Sequence, residues 1–426
     1  MSTVGWIGTG RLGLSCALAL AEHGKHEVYG YDVSVRPYDI LQGNVEPHEE
    51  AGLADLVKGN DPSRSFGLSM CGDIHDVVMM LDDGSCIFVA VQTPHEPRYG
   101  GETPIVEAPV DFEYGYLIQA VRDINAEAER QDKRLTVVVV STVLPGTVRA
   151  HLAPLCGPRV KLAYNPFFIA LTTTLSDYLH PEFVLLGADD DTARQQVEAL
   201  YATVHDRPVH AVSIESAELL KVSYNCFISL KIVFANMVME ICQKTGADCD
   251  EIADGLALAT DRITSPAYMR GGMGDSGACH PRDNQAMSWL AQRLDLSVDL
   301  MGYVSTAREQ QSAWLADLVE HWHRMSGLPI CLLGKAYKPN VSLVNGSAGL
   351  LLATQLRDRG LDLEHWDPHV DSGGTFAPDV PGVFAITTRH DAFPHLHMPP
   401  GSVVIDPHGY MPDQPGVTTI RVGRKT

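Results

Sequence analysis

Gly8-Thr9-Gly10-Arg11-Leu12-Gly13 follows the short apolar run Val4-Gly5-Trp6-Ile7 and opens a segment, Leu12–His23, whose apolar residues recur with helical period. A second run rich in β-formers, Glu27–Tyr31, ends directly before Asp32. Three glycines so spaced between a strand and a helix let a chain turn tightly, bring its backbone close to an anion, and seat the helix on the strand. The free N–H groups at the helix start then face that anion. This assigns Gly8, Gly10, Arg11, Leu12 and Gly13 to a dinucleotide pyrophosphate, and Asp32 to the adenosine ribose hydroxyls. A carboxylate there repels a 2′-phosphate, so the cofactor expected is NAD. The other reading of the glycines alone is a tight turn in a nucleotide-free doubly wound domain.

Strand-like runs at Ile87–Val91, Thr136–Ser141 and Val160–Tyr164 continue the alternation with helical segments, which implies a parallel sheet covered on both faces. From Glu215 to Gly246 the chain reads as one long helix without proline. Helical segments at Cys249–Thr260 and Gln285–Leu296 follow, on either side of a glycine-rich stretch. Strand and helix alternate again at Ile330–Leu333, Ala348–Gly360, Glu364–Asp367 and Ser402–Asp406. The expected fold is α/β: two Rossmann-like doubly wound domains joined by a long central helix and a small helical domain. Its parts are a cofactor-binding Rossmann-like domain over 1–210, a central helical domain over 211–310, and a second Rossmann-like domain over 311–426.

The balance of 32 basic against 53 acidic residues, net −21, argues against a nucleic-acid partner or an anionic membrane surface. An anionic substrate then needs a local basic pocket. No run approaches the roughly 18 apolar residues of a membrane span, and the first apolar run leads into a glycine loop rather than a signal peptide, so cytoplasm is the expected location. Nine cysteines at scattered spacings read as reduced thiols, with no disulfide framework and no metal site.

Lys221 and Asn225 stand one helical turn apart on one face. A desolvated lysine takes a hydroxyl proton or stabilises an alkoxide, and an asparagine orients the same hydroxyl; alone, the pair also reads as a solvated helix face. Cys16, Cys86, Cys226, Cys242 and Cys331 fall within apolar patterns, whereas Cys279 lies in Gly277-Ala278-Cys279-His280-Pro281-Arg282-Asp283, which has none. The neighbours His280 and Arg282 favour a thiolate there. Asp283 reads either as an orienting carboxylate or as a helix cap. Ser141-Thr142-Val143-Leu144-Pro145-Gly146-Thr147 closes a strand, where open α/β sheets place ligands, although a Pro-Gly turn looks the same. Gly271-Gly272-Met273-Gly274 offers backbone amides to phosphates or forms a plain surface loop.

Together these motifs resemble the UDP-glucose/GDP-mannose dehydrogenase family, in order and over nearly the whole chain. Val91-Gln92-Thr93-Pro94 is similar to the family's V-G-T-P turn, Ser141 to Gly146 to S-T-V-x-x-G, and Ala217 to Asn225 to A-E-L-x-K-x-x-x-N. Gly277 to Asp283 resembles G-S-C-F-P-K-D, and Leu333 to Asn340 resembles L-G-L-A-F-K-P-N. The resemblance implies a homodimer built on the long helix, with 211–310 as the dimerisation domain and 311–426 as the substrate-binding domain, a nucleotide-linked sugar held between these two, and a four-electron oxidation of its primary alcohol with two NAD consumed. Carried over, Lys221 and Asn225 serve the alcohol and oxyanion, Cys279 attacks the aldehyde, and Asp283 assists breakdown of the adduct. Thr142 positions water or substrate, and Thr93 and Thr142 face the cofactor. Lys338, Tyr268 and Gly274 join Lys221 in binding substrate, and Arg262 reaches a partner subunit's site.

Where the family reads N-P-E-F-L-R-E, this chain has Asn165-Pro166-Phe167-Phe168-Ile169-Ala170-Leu171, so both glutamates and the arginine are apolar here. The second glutamate is the one usually assigned to thioester hydrolysis. Asn345 stands in place of an arginine. Three alternatives follow: an oxidation that stops at the aldehyde, a β-hydroxyacid dehydrogenase-like enzyme, and a cofactor-binding regulator without turnover. The β-hydroxyacid reading leaves Cys279 and the third domain without a use.

Overall fold

Val4 and Trp6 are fully buried because β1 (Thr3–Ile7) is a central strand, and Gly5 between them is required, since a Cβ there would come within 2.7 Å of the Ile87 side chain. The computed structural model describes residues 2–48, 50–61, 63–94, 111–169, 173–265, 271–274, 276–277, 281, 284, 288, 291–371 and 376–424, with backbone alone at 226, 229, 232, 233, 235, 236, 240 and 243. The chain divides into one unit over Met1–Ser229 and another over Leu230–Thr426.

In the first unit β1 is followed by α1 (Arg11–Gly24), β2 (Glu27–Tyr31), α2 (Arg36–Leu41), α3 (Leu53–Gly59), β3 (Gly67–Met70), α4 (Ile74–Met80) and β4 (Ser85–Val89). Then come α5 (Gly115–Arg130), β5 (Leu135–Val139), β6 (Val160–Tyr164), α6 (Thr174–Leu179), β7 (Val184–Gly187), α7 (Asp191–Tyr201) and β8 (Val209–Val212). The strand order is β3-β2-β1-β4-β5-β6-β7-β8, parallel except where β6 meets β7. Ile7 pairs with Tyr31 on one side and Val89 on the other, so the loops leaving β1, β2 and β4 emerge at one edge, where the winding direction changes. Leu14 and Leu18 of α1 and Val197 of α7 pack one face of the sheet, and Val77 of α4 with Leu117, Val121 and Ile124 of α5 pack the other.

Two strands end earlier than their apolar runs suggest, β4 at Val89 and β5 at Val139. The Ser141 hydroxyl donates to the Val91 carbonyl at 2.6 Å, which takes these residues out of the ladder and into facing loops.

The helix α8 (Ile214–Thr245) runs from the first unit into the second, where α9 (Cys249–Ala257) and α10 (Leu300–Ser326) follow. The expected helix at Gln285–Leu296 lies partly outside the described residues; of those described, 288 and 291–293 are helical and 294–296 are not. α10 escapes a sequence reading because only its second half carries fully inward-facing residues, Leu315, Ala316 and Val319. It is bounded by chemistry: Asp299 Oδ1 accepts the Gly302 amide at 2.9 Å, and Gly327 closes it at φ 69°. β9 (Ile330–Leu333), α11 (Ala348–Asp358), β10 (Leu363–Trp366), β11 (Val383–Ile386), β12 (Val403–Asp406) and β13 (Thr418–Arg421) complete a parallel sheet in the order β10-β9-β11-β12-β13. α10 and α11 cover one face of it. Among the described residues no helix is long and apolar enough to cross a membrane, no cluster of side chains has a metal-ligating composition, and the seven described cysteines are unpaired.

Candidate active site

At the switch point each glycine of the loop has its own reason. Gly8 sits at φ 89°, its amide donating to the Tyr31 carbonyl at 2.9 Å, and a Cβ there would meet the Ala90 carbonyl oxygen at 2.7 Å. A Cβ on Gly13 would lie 1.9 Å from the Gly8 carbonyl oxygen, so this glycine seats α1 on the loop. Among the described residues, a Cβ on Gly10 would meet nothing within 4 Å and no side chain caps the start of α1. Arg11 beside it is exposed, while Leu12 is half-buried and packs against the core. Asp32, half-buried at the end of β2, accepts the Ser34 amide at 2.8 Å. Val33 and Val35, 90% and 72% exposed, add an apolar surface beside this carboxylate. An open loop of amides, a carboxylate and an apolar shelf fit the pyrophosphate, ribose and base of NAD.

The loops after β4 and β5 are stitched together. Thr93 Oγ1 donates to the Thr142 carbonyl at 2.8 Å, alongside the Ser141 to Val91 bond. Glu218 then fixes the far end of the second loop, a contact that the sequence reading misses. Its two carboxylate oxygens accept the Gly146 amide at 2.6 Å and the Val148 amide at 2.8 Å, and the residue is 0% exposed. Burial raises its carboxyl pKa, against the lowering effect of the Val148 and Gly146 amides. The available signal was its spacing: Glu218 lies three residues before Lys221 and so on the same side of α8.

Lys221 is 8% exposed. Its Nζ donates to the Phe167 carbonyl at 2.7 Å and stands 4.9 Å from the Phe168 ring centroid. Burial pushes its amine below the ordinary lysine value. The acceptor is held by Asn165, whose Nδ2 donates to the Leu185 carbonyl at 2.8 Å and whose Oδ1 accepts the Tyr201 hydroxyl at 2.5 Å. The Phe167 ring packs edge-on against Tyr178 at 5.5 Å, so this position offers Lys221 a carbonyl and gives its side chain to the core. Asn225, one turn further on, is exposed. Leu171, Tyr268, Cys279, His280, Arg282 and Asp283 lie outside the described residues.

In the second unit two motifs far apart in sequence meet. Gly277, at φ 100°, donates its amide to the Gly346 carbonyl at 3.2 Å, and Ser276 Oγ accepts the Ala348 amide at 3.1 Å. A Cβ on Gly277 would lie 3.1 Å from the Tyr337 ring, so the segment leading to Cys279 adjoins the turn that carries Lys338. Lys338 is exposed, its Nζ 5.3 Å from the Tyr337 ring centroid. Gly274 borders a cavity of about 780 Å³, lined by Gly271–Gly274, Arg308, Trp314, the start of α11 and Arg424 among others. Lys338 does not line this cavity, nor does Arg262, which is exposed in the turn after α9.

A doubly wound sheet with an open glycine loop at its switch point, followed by a helix that presents a buried lysine, defines a dinucleotide-dependent dehydrogenase. Residues 2–205 match the NAD binding domain of the UDP-glucose/GDP-mannose dehydrogenase family, and residues 215–310 match its central domain. The chain is similar to the GDP-mannose 6-dehydrogenase of Pseudomonas aeruginosa, 29% identical over 374 residues, 85% of this chain and 80% of that protein. It is also similar to the UDP-glucose 6-dehydrogenase YwqF of Bacillus subtilis, 26% identical over 371 residues, 85% of this chain and 78% of the other. The crystal structure of a ternary complex of GDP-mannose dehydrogenase from Pseudomonas aeruginosa matches with a TM-score of 0.83 at 25% identity, covering 98% of this chain and 99% of that one. The protein belongs to the UDP-glucose/GDP-mannose dehydrogenase family and is an NAD-dependent nucleotide-sugar dehydrogenase.

Proposed function

We propose that the protein oxidises the primary alcohol of a nucleotide-linked sugar, or of a related phosphorylated sugar or nucleoside, to the carboxylate through a covalent intermediate on Cys279. The observation that carries this reading is Lys221, a buried amine held against the Phe167 carbonyl on a helix that Glu218 ties to the Thr142 loop. Bound at the glycine loop, with Asp32 on its ribose, NAD supplies the hydride acceptor for each of two oxidations. Lys221 takes the hydroxyl proton and Asn225 orients the oxygen. The Cys279 thiolate adds to the resulting aldehyde, giving a thiohemiacetal whose oxidation leaves a thioester. Water, positioned by Thr142 and assisted by Asp283, releases the acid and the thiol.

The cavity supports a nucleotide as the handle of the substrate. Glycine amides and arginine suit phosphates in a chain of net charge −21, and Trp314, 58% exposed, offers a face to a base. Tyr268, Gly274, Lys338 and Arg262 complete the proposed substrate set, with Arg262 acting across a dimer. Leu219, Phe227, Ile228, Leu230, Phe234 and Met239 of α8 are exposed, and so many large apolar side chains on one helix support a homodimer formed along it. Light scattering tests that state.

A second reading, oxidation that stops at the aldehyde, is favoured by one observation: Phe167 turns a ring into the core where the family places a carboxylate. A screen of UDP- and GDP-linked sugars for NADH formation, with identification of the product, tests both readings. Acid is expected.

A further inference from the structure

The second unit contains a buried carboxylate and a buried imidazole that the proposed chemistry leaves unused. The side chains of Asp367, at the end of β10, and His390, after β11, are both 0% exposed. Asp367 Oδ2 accepts the Lys335 amide at 2.6 Å and the Ala336 amide at 2.8 Å, while Oδ1 accepts the His369 amide at 2.8 Å. His390 Nε2 lies 3.0 Å from the same Oδ2, and His390 Nδ1 accepts the Asn340 amide at 2.9 Å. A ring nitrogen that accepts an N–H carries no proton, so the ring proton sits on Nε2 and is donated to Asp367.

The couple therefore grips the 335–340 turn at both ends, Lys335 and Ala336 through the carboxylate and Asn340 through the imidazole. Asn340 is held at φ 60°, in the left-handed region, and its Nδ2 also donates to Asp391 at 2.8 Å. Between the two grips lie Tyr337, against Gly277, and the exposed Lys338. Burial alone would raise the Asp367 carboxyl, yet the His390 ring and three backbone amides outweigh it and hold it well below the usual carboxylate range. An apolar pair would fill this space without the desolvation penalty of a buried carboxylate. What such a pair lacks is an acceptor for the amides of a turn.

We propose that Asp367 and His390 are positioning residues for substrate binding, fixing the 335–340 turn so that Lys338 is presented to the nucleotide-linked substrate. This rests on Lys338 contacting substrate, so the test compares Lys338→Ala, His390→Phe and the double variant in the full-length enzyme, using the nucleotide sugar that gives NADH. NAD affinity and Tm are measured for each: the glycine loop belongs to the other unit, so NAD affinity reports on that unit, while Tm reports a loss of fold in either.

Each single variant is expected to raise KM for the nucleotide sugar about tenfold, the scale of one well-placed hydrogen bond, with kcat and NAD affinity little changed. The double variant is expected to be no worse than Lys338→Ala alone. A folded His390→Phe with unchanged KM overturns the proposal, as does a penalty that multiplies with that of Lys338→Ala. An unchanged KM in Lys338→Ala defeats the substrate contact itself and takes the proposal with it. Should His390→Phe not fold, His390→Gln, which keeps a donor for Asp367, enters the same cycle: a smaller KM increase that disappears in the Lys338→Ala background supports the proposal, and any other result overturns it.

Discussion

Lys221 Nζ donates to the carbonyl oxygen of Phe167 at 2.7 Å, in a place where burial disfavours its charge. A lowered lysine pKa means that the neutral amine, the form that accepts a proton, is reached at lower pH than for an ordinary lysine. The rate of alcohol oxidation should therefore rise with pH and level off with a midpoint below the ordinary lysine value of 10.5. Lys221→Arg, charged throughout, should lose this limb and about 10²–10⁴-fold in kcat. A pH–rate profile measures both, and an unchanged limb in the arginine variant would assign it to another group.

Glu218 connects α8 to the loop after β5. Glu218→Ala leaves the buried Val148 amide and the part-buried Gly146 amide without their acceptor and should destabilise the protein by about 2–4 kcal/mol, whereas Glu218→Gln, which keeps one acceptor oxygen, should lose less. Urea denaturation gives the values. Equal and negligible losses would show that the loop does not depend on this carboxylate.

Asp32 should set cofactor choice. Titration should show NAD binding at least about tenfold more tightly than NADP, with Asp32→Asn closing most of the gap. Equal affinities in the unaltered protein would remove the role given to Asp32.

Cys279 should be the thiol whose alkylation inactivates the enzyme. Burial raises the thiols of Cys71 and Cys156 to about 11 and those of Cys86 and Cys331 to about 12 (with a further push from nearby carboxylates at Cys71 and Cys331), which makes them poor competitors. Inactivation by iodoacetamide should map to Cys279 and be slowed by substrate. Cys279→Ser should bind the nucleotide sugar yet lose acid formation by about 10³-fold or more. Near-normal acid formation in the serine variant would remove the thiohemiacetal from the scheme.

The parts of this protein that a sequence reveals are those whose chemistry is local. The glycines of the loop, the strand ending at Asp32, and the common face of Lys221 and Asn225 are fixed by spacings of a few residues, so β1, α1, β2 and α8 can be read directly. Glu218 is legible as part of the A-E-L-x-K-x-x-x-N helix, but its contacts are not, because its partners, Gly146 and Val148, are about 70 positions away. Asp367 and His390 stayed hidden for the same reason: neither belongs to a motif, and their link is made across the ends of two parallel strands. Phe167 was legible as a missing carboxylate, but not as a backbone acceptor for Lys221, because a sequence does not show which way a loop turns its carbonyl.

The most direct measurement is the number of NADH formed per nucleotide sugar consumed, taken with intact-protein mass spectrometry on quenched enzyme. The account predicts two NADH per sugar and free acid, with loss of the acid in Cys279→Ser. One NADH per sugar with accumulating aldehyde, and no added mass on Cys279, would contradict it.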